Sequence, residues 1–351
     1  MDSTLQLKCP NCGASIGFNA EKQQFVCEYC DSAFTEEEIN AANAFEADKA
    51  AAAPADTEDF SEHTNLYICE SCGAEIVADE NTAASFCHYC HNAVTLKGRV
   101  SGALQPELII PFKYSRDLAE NAFRQWCAKK WFLPGDFTSK GQLEKMVGLY
   151  VPFWLADCDI DAAMNCDATI VTSHRSGDYR ITHTKVFSVE RAAKMDYMGV
   201  PADGSKKLDD KLMDAVEPFN YKEFVPFSMN YFSGFYADKY DVDKAAALPR
   251  IKARIESGAE QVLRDSIRGY TSVSTKYKNV RITKTKWHYA MLPVWFMTYI
   301  HGGKKYFFAL NGQTGKIAGI PPVSGAKLAL LASALFIIFG VLGGIIGGGM
   351  L

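Results

Sequence analysis

Eight cysteines near the N-terminus fall into one pattern, and that pattern limits what this part of the chain can become. Cys9 and Cys12 form a Cys-x-x-Cys pair, and fourteen residues separate it from a second pair, Cys27 and Cys30. Cys69, Cys72, Cys87 and Cys90 repeat the arrangement, each 60 positions after its counterpart. The flanks repeat too: Cys12-Gly-Ala-Ser-Ile matches Cys72-Gly-Ala-Glu-Ile, and Cys27-Glu-Tyr-Cys30 matches Cys87-His-Tyr-Cys90. This is an internal duplication.

The spacing has a physical reason. Zinc takes four soft ligands in a tetrahedron, with Zn–S near ~2.3 Å. A Cys-x-x-Cys turn presents two thiolates from one knuckle, and Gly13 or Gly73 suits the backbone that follows. Fourteen residues allow a short hairpin to return the second knuckle to the first. A disulfide framework or redox pairs would be the alternative. Four regular pairs with no secretory signal before them argue for two structural Zn²⁺ ions instead. Each ribbon, of about 30 residues, is too small to bury a stabilising core, so metal should supply much of its folding free energy. His88 and His91 flank the last knuckle, but four cysteines already fill the tetrahedron.

The chain has 351 residues and a net charge of −4, unevenly spread. Residues 1–100 carry 5 Lys+Arg against 17 Asp+Glu, a balance of −12, and the remainder carries +8. Nucleic-acid binding needs cations that displace counterions from phosphates, so acidic ribbons point to protein surfaces instead. Cys127, Cys158 and Cys166 lie outside the pattern and read as reduced, buried thiols.

Residues 328–351 carry no charge. As a helix they would extend ~36 Å against a hydrocarbon core of ~30 Å, which predicts a single membrane span. Lys304, Lys305, Lys316 and Lys327 precede it and nothing basic follows, which places the bulk on the cytoplasmic side of a tail-anchored protein. Gly340, Gly344 and Gly348 have the spacing that lets two membrane helices pack and self-associate.

The expected fold class is multidomain: two small tandem β zinc ribbons, an α+β middle domain and one C-terminal transmembrane helix. The divisions are 1–35 for the first ribbon, 36–65 for an acidic, Ala-rich linker that lets the ribbons move, 66–98 for the second ribbon, 99–323 for the cytoplasmic domain and 324–351 for the anchor. In the middle domain, Ser115 reads as an N-cap for a helix to about residue 132. Further helices are expected over about 205–216 and 242–267, the latter interrupted by Pro249. Ile110-Pro-Phe, Val151-Pro-Phe-Trp and Leu292-Pro-Val-Trp-Phe read as strands. A meander follows, turning at His301-Gly-Gly-Lys304 and at Asn311-Gly-Gln-Thr-Gly315.

Candidate chemistry is sparse. Gly312-Gln-Thr-Gly-Lys316 lacks the first glycine and the Ser/Thr of a phosphate loop, so it reads as a turn. Asp157, Asp159 and Asp161 alternate and share a strand face that a hard cation could use, but the pattern fits no calcium loop and a solvated face is the plainer reading. His174 and His183 flank a turn and would face each other across a hairpin. Trp126, Trp131 and Phe132 lie among Arg124, Lys129 and Lys130, either as a lipid-facing patch or as a helix with buried aromatics. No motif nominates an enzyme.

The chain resembles the YdjG-like bacterial proteins, whose members are often labelled TFIIB-type zinc-ribbon or primosomal helicase-related proteins. The match rests on Cys9-Pro-Asn-Cys-Gly13, the Cys69 and Cys72 pair, Ile109-Ile-Pro-Phe112, Val151-Pro-Phe-Trp154, Gly269-Tyr-Thr-Ser-Val273, Leu292-Pro-Val-Trp295 and Asn311-Gly-Gln-Thr-Gly-Lys316, in that order. The resemblance implies a membrane-anchored adaptor in the envelope stress response, recruiting PspA-like and SPFH-like partner proteins. It carries the eight cysteines over as zinc ligands and carries over no catalytic residue. The competing expectation is a nucleic-acid-binding zinc-ribbon protein, which the −12 balance opposes.

Overall fold

A computed structural model describes residues 9–12, 16–27, 30–47, 64–79, 87–92, 94–99, 105–232 and 234–348. In chain order the elements are β1 (Gly17–Asn19), β2 (Gln24–Val26), β3 (Ala33–Phe34), α1 (Glu36–Ala47), β4 (Thr64–Ile68), β5 (Glu75–Asp79), β6 (Thr95–Arg99) and β7 (Leu108–Ile109). Next come α2 (Arg116–Ala128), α3 (Lys140–Leu143), β8 (Val147–Ser176), β9 (Tyr179–Asp203), α4 (Asp210–Val216), β10 (Val225–Pro226) and β11 (Tyr236–Asp238). The chain closes with α5 (Lys244–Asp265), β12 (Ser272–His301), β13 (Lys304–Asn311), β14 (Ile317–Gly319) and α6 (Gly325–Gly348).

Two sheets form. Strands β1, β2 and β3 make a three-stranded sheet, and the other eleven strands share one large sheet whose main path runs β10-β7-β12-β8-β11-β5-β4-β6. Its spine is the antiparallel pair β8 and β12, which runs from Val147 opposite Phe296 to Thr169 opposite Ser272 with two register shifts on the way.

Proline places the changes of partner along this spine. On its other side β8 pairs with β11 at Leu149 and Tyr150, then with β9 from Phe153 onward. Pro152 sits in the gap, where a missing N–H leaves no ladder bond unmade, and its carbonyl accepts from Gly204 N at 2.7 Å. Strand β12 does the same. It pairs with β7 at Ala290 and Met291, then with β13 from Val294, and Pro293 in the gap accepts from Gly312 N at 2.8 Å. Two residues past each proline a tryptophan pins a loop: Trp154 Nε1 donates to Val242 O and Trp295 Nε1 to Tyr114 O, both at 2.8 Å.

The rings of Phe112 and Phe235 stack at 4.2 Å beside this spine, with Tyr150 and Trp295 edge-on to Phe112 at 5.0 and 5.4 Å. Two glycines make the room. A Cβ on Gly148 would come within 2.5 Å of the Phe235 ring, and one on Gly312 within 2.6 Å of the Phe112 ring.

Beyond the body, β8, β9 and β12 continue as a long three-stranded blade, β9 joining β8 through the turn at Gly177, where φ is +61°. Alternate β8 side chains, Cys158, Ile160, Ala162, Met164, Cys166 and Ala168, are buried on one face. Helix α5 packs on the blade with a matching stripe of Ala247, Ile251, Ile255, Ala259 and Leu263. The interruption expected at Pro249 does not occur: α5 runs through it. Asp243 caps its start by accepting from Ala246 N at 2.8 Å. Arg250 pairs with Asp203, Asp210 and Asp214, and Arg254 with Asp214 and Glu217, tying the helix to α4 and the end of β9. Burial pushes the Asp203 and Glu217 carboxyls up, against the pull of these guanidiniums.

Several expectations hold. Ser115 caps α2 through Leu118 N, the meander pairs Val294–Asn311 through His301–Lys304, and Asn311 Oδ1 closes the following turn by accepting from Gln313 N and Thr314 N. Cys127, Cys158 and Cys166 are buried.

The fold class needs correction. The body is dominated by β-structure, and the second ribbon is no separate unit, since β5 pairs with β11 inside the large sheet. The transmembrane helix is also corrected: among the described residues, no helix is long and apolar enough to cross a membrane. Helix α6 does form at 325–348, but its strongly apolar stretch, 328–339, rises only ~18 Å before the glycine-rich part begins, short of the ~30 Å a span needs. The tail anchor and the single-pass membrane location fall with it; Gly340, Gly344 and Gly348, expected to mediate self-association, lie outside the residues whose side chains are described. Of the basic aromatic patch, Trp126 packs on Phe308 and lies under Lys130, whereas Trp131 is exposed.

Phe112→Ala removes the ring on which the partner changes converge and should destabilise the chain by about 3–5 kcal/mol in urea unfolding. Gly148→Val drives a branched side chain into Phe235 and should cost about 1–3 kcal/mol; a loss well below that range for both variants would contradict this packing.

Candidate metal centres

The structure brings the eight cysteines together as the spacing predicts. The sulfurs of Cys9, Cys12, Cys27 and Cys30 lie within 4.8 Å of one another, as do those of Cys69, Cys72, Cys87 and Cys90. Within the clusters Cys9 stands 3.5 Å from Cys30, Cys12 3.5 Å from Cys27, Cys69 3.4 Å from Cys90 and Cys72 3.6 Å from Cys87. Four thiolates around one zinc at ~2.3 Å each would stand about 3.8 Å apart, and a disulfide would need ~2.05 Å. Two four-cysteine clusters that could each hold a metal ion are therefore present, consistent with two zinc sites.

Local structure explains the approach. Strands β1 and β2 form the hairpin that returns the chain in the first ribbon, and in each cluster the knuckles close on backbone bonds to sulfur-bearing residues: Asp31 N to Cys27 O, Gly73 N to Cys69 O and His91 N to Cys87 O. Gly73 has φ +69°, the conformation its position required. Ser32 holds the Cys30 thiol down at about 6, first through its hydroxyl and then its amide. Burial works to raise Cys90, but the Asn92 amide and the other three sulfurs outweigh it and hold the thiol at about 7. These contacts favour the thiolate, the form that ligates a metal. Cys87, more deeply set, is pushed well up by burial.

The two clusters differ in setting. Cys12 and Cys30 of the first are exposed, while Cys69, Cys87 and Cys90 of the second are buried and Cys72 is half-buried. The first ribbon rests on the body through its outer face: Phe18 meets the Tyr231 ring edge-on at 5.1 Å, and Gln23 Nε2 donates to Phe112 O. Helix α1, from the expected linker, adds Tyr231 Oη to Glu36 Oε2 at 2.6 Å and Asn230 Nδ2 to Asn40 Oδ1 at 2.9 Å; residues 48–63 of that linker lie outside the described residues.

The second ribbon is embedded. His88 and Tyr89, the two residues between Cys87 and Cys90, are both buried. The Tyr89 hydroxyl donates to Asp238 Oδ2 on β11, which also accepts from Ser205 Oγ at 3.1 Å. Thr298 Oγ1 on β12 donates to His88 O at 2.7 Å, and the Tyr89 ring packs 5.4 Å from Phe296. Lys207 Nζ donates to Cys72 O on the opposite knuckle. The His88 ring turns to Asp238, with Nε2 3.7 Å from Oδ1, and so stands outside the ligand set. The sequence singled out His88 and His91 but not Tyr89 or Asp238; the change from Glu28 in the first ribbon to His88 in the second was the available signal.

The remaining candidates do not assemble a site. Among the described residues, no other three His, Cys, Asp or Glu side chains converge as the cysteines do. Asp157, Asp159 and Asp161 share a face as expected, but each meets a cross-strand partner: His288 at 3.2 Å, Lys284 at 3.8 Å and Arg281 at 2.8 Å. Arg281 holds the Asp161 carboxyl below its ordinary value. His174 and His183 stack at 5.7 Å near the blade tip. The 312–316 loop is the turn expected.

The purified chain should carry two zinc ions by elemental analysis. Cys87→Ser should lower the main unfolding temperature by about 5 °C or more beyond Cys12→Ser, because only the second knuckle anchors the large sheet; equal effects would contradict the embedding.

Comparison with known proteins gives one informative relative. The chain is 34% identical over 334 residues to "Uncharacterized protein YdjG" of Bacillus subtilis (strain 168), which covers 94% of each chain. No family model and no solved structure matches. With that identity over nearly the full length, the chain belongs to the YdjG-like family.

Proposed function

We propose that this protein is a non-enzymatic adaptor that binds partner proteins, with both four-cysteine clusters holding structural Zn²⁺. The observation that carries the reading is the blade. Strands β8 and β12 are each 30 residues long and β9 is 25, whereas strands in globular proteins usually run about 5–6. At about 3.4 Å per residue, β8 alone reaches roughly 100 Å. The hairpin tip beyond Thr169 has no pairing from β12, and its side chains stand mostly in solvent, among them Tyr179, Ile181 and Val186. Burying a core does not require such a reach; presenting surface to another protein does. The metal clusters, in this reading, stiffen the base from which the blade projects. Family resemblance suggests PspA-like and SPFH-like proteins as the partners, acting in the envelope stress response.

The test is capture of purified PspA-like and SPFH-like proteins by the intact chain and by a variant whose hairpin is shortened to join Ile170 and Lys185, cross-strand neighbours, by a two-residue turn. Loss of capture with an unchanged melting temperature supports the reading. Undiminished capture by the shortened blade, or none by the intact chain, contradicts it.

A further inference from the structure

The blade has two long edges, and the chain treats them differently. The edge of β12 is blunted: Lys276, Lys278, Arg281, Lys284 and Lys286 recur along it, and two register shifts break its ladder. Lysines and bulges are the usual guards against strand pairing. The edge of β9 carries only the lysines Lys185 and Lys194, and its one register shift lies at the base of the blade, between Tyr197 and Val200. Its pairing with β8 runs without a shift from Cys158 opposite Tyr197 to Ser176 opposite Tyr179, no proline interrupts it, and among the described residues no strand lies along its outer side.

The hairpin fixes which groups face out. With a two-residue turn at 177–178, Ser176 and Tyr179 exchange hydrogen bonds, so odd residues of β9 bond to β8 and even ones direct N–H and C=O to the open edge. Arg191 marks this polarity, since its Nη1 donates to the Glu190 carbonyl at 2.8 Å. The even side chains Ser188, Glu190, Ala192, Lys194 and Asp196 are all exposed, on the face opposite α5.

This run is self-complementary in one register. An antiparallel second copy centred on Ala192 sets Ala192 against itself, Glu190 against Lys194 twice, and Ser188 against Asp196 twice. Val186, 63% exposed, stands just beyond this run, and the run ends at Tyr197, where the register with β8 shifts. Centring on Glu190 or on Lys194 instead would set like charges face to face. We propose that the outer edge of β9 is a homodimer interface, two copies pairing about a two-fold axis at Ala192 and joining their blades into one continuous sheet. Backbone bonds supply the affinity, the crossed Glu190 and Lys194 pairs fix the register, and the Arg191 guanidinium yields its carbonyl to the partner's amide. The inference stands apart from the adaptor reading and needs no other protein.

Sedimentation of the intact chain over about a hundredfold concentration range should show a reversible monomer–dimer equilibrium. Glu190→Lys creates two like-charge pairs and should weaken the dimer about tenfold or more, while combining it with Lys194→Glu should restore it. Ala192→Pro should also weaken it, because the lost N–H faces outward and the β8 ladder is spared. Under mild oxidation Ala192→Cys should cross-link to itself, and Ala163→Cys, on the same face but one strand inward, should not. A chain monomeric throughout overturns the proposal. So does a dimer indifferent to Glu190→Lys, or cross-linking equal at both positions.

Discussion

Two strands of thirty residues, β8 and β12, pair antiparallel from Val147 to Thr169 of β8, and each must exchange its outer partner partway. The exchange is possible because a proline stands at each gap. Pro152 and Pro293 carry no N–H to leave unpaired, and their carbonyls are taken by Gly204 and Gly312, the glycines that follow β9 and β13. The same prolines set Trp154 and Trp295 two residues on, where they fasten the loops that lead into α5 and α2. One spine therefore supports a compact body at one end and a projecting blade at the other.

The second cysteine cluster belongs to this body. Its knuckle enters the large sheet through Tyr89 and Asp238, and β5 extends the ladder through β11. The first cluster has the same ligand spacing but rests against the surface, touching the body through Phe18 and Gln23. A duplicated four-cysteine motif thus stands in two settings: one copy is part of the core, and the other is a docked lobe with two exposed cysteines. The acidity of residues 1–100 is met partly within the chain, as in the pair Glu75 and Lys239 at 3.3 Å.

Legibility followed sequence distance. The ligand sets were readable because four cysteines in about twenty residues can meet in few ways, and the Ser115 cap and the turn after Asn311 are equally local. The embedding was not, because Tyr89 and Asp238 are 149 positions apart and neither is unusual alone. The prolines showed where strands lay but not why, since a partner change involves four separate segments. Pro249 signalled a break, but the helix runs through it, its stripe of Ala247, Ile251, Ile255, Ala259 and Leu263 buried against the blade. At the C-terminus the uncharged tract suggests a full span, but apolar length rather than absence of charge decides that.

If the second cluster is part of the body, then withdrawing its metal must be felt in strands that contain no cysteine. Hydrogen exchange of the intact chain before and after chelation measures this amide by amide. Exchange should accelerate at Ala237 and Asp238 on β11 as well as along β4 and β5, while the amides of 160–168 in the blade stay protected. Acceleration confined to 69–92, with β11 unchanged, would show that the second ribbon is an appended unit and would contradict the account.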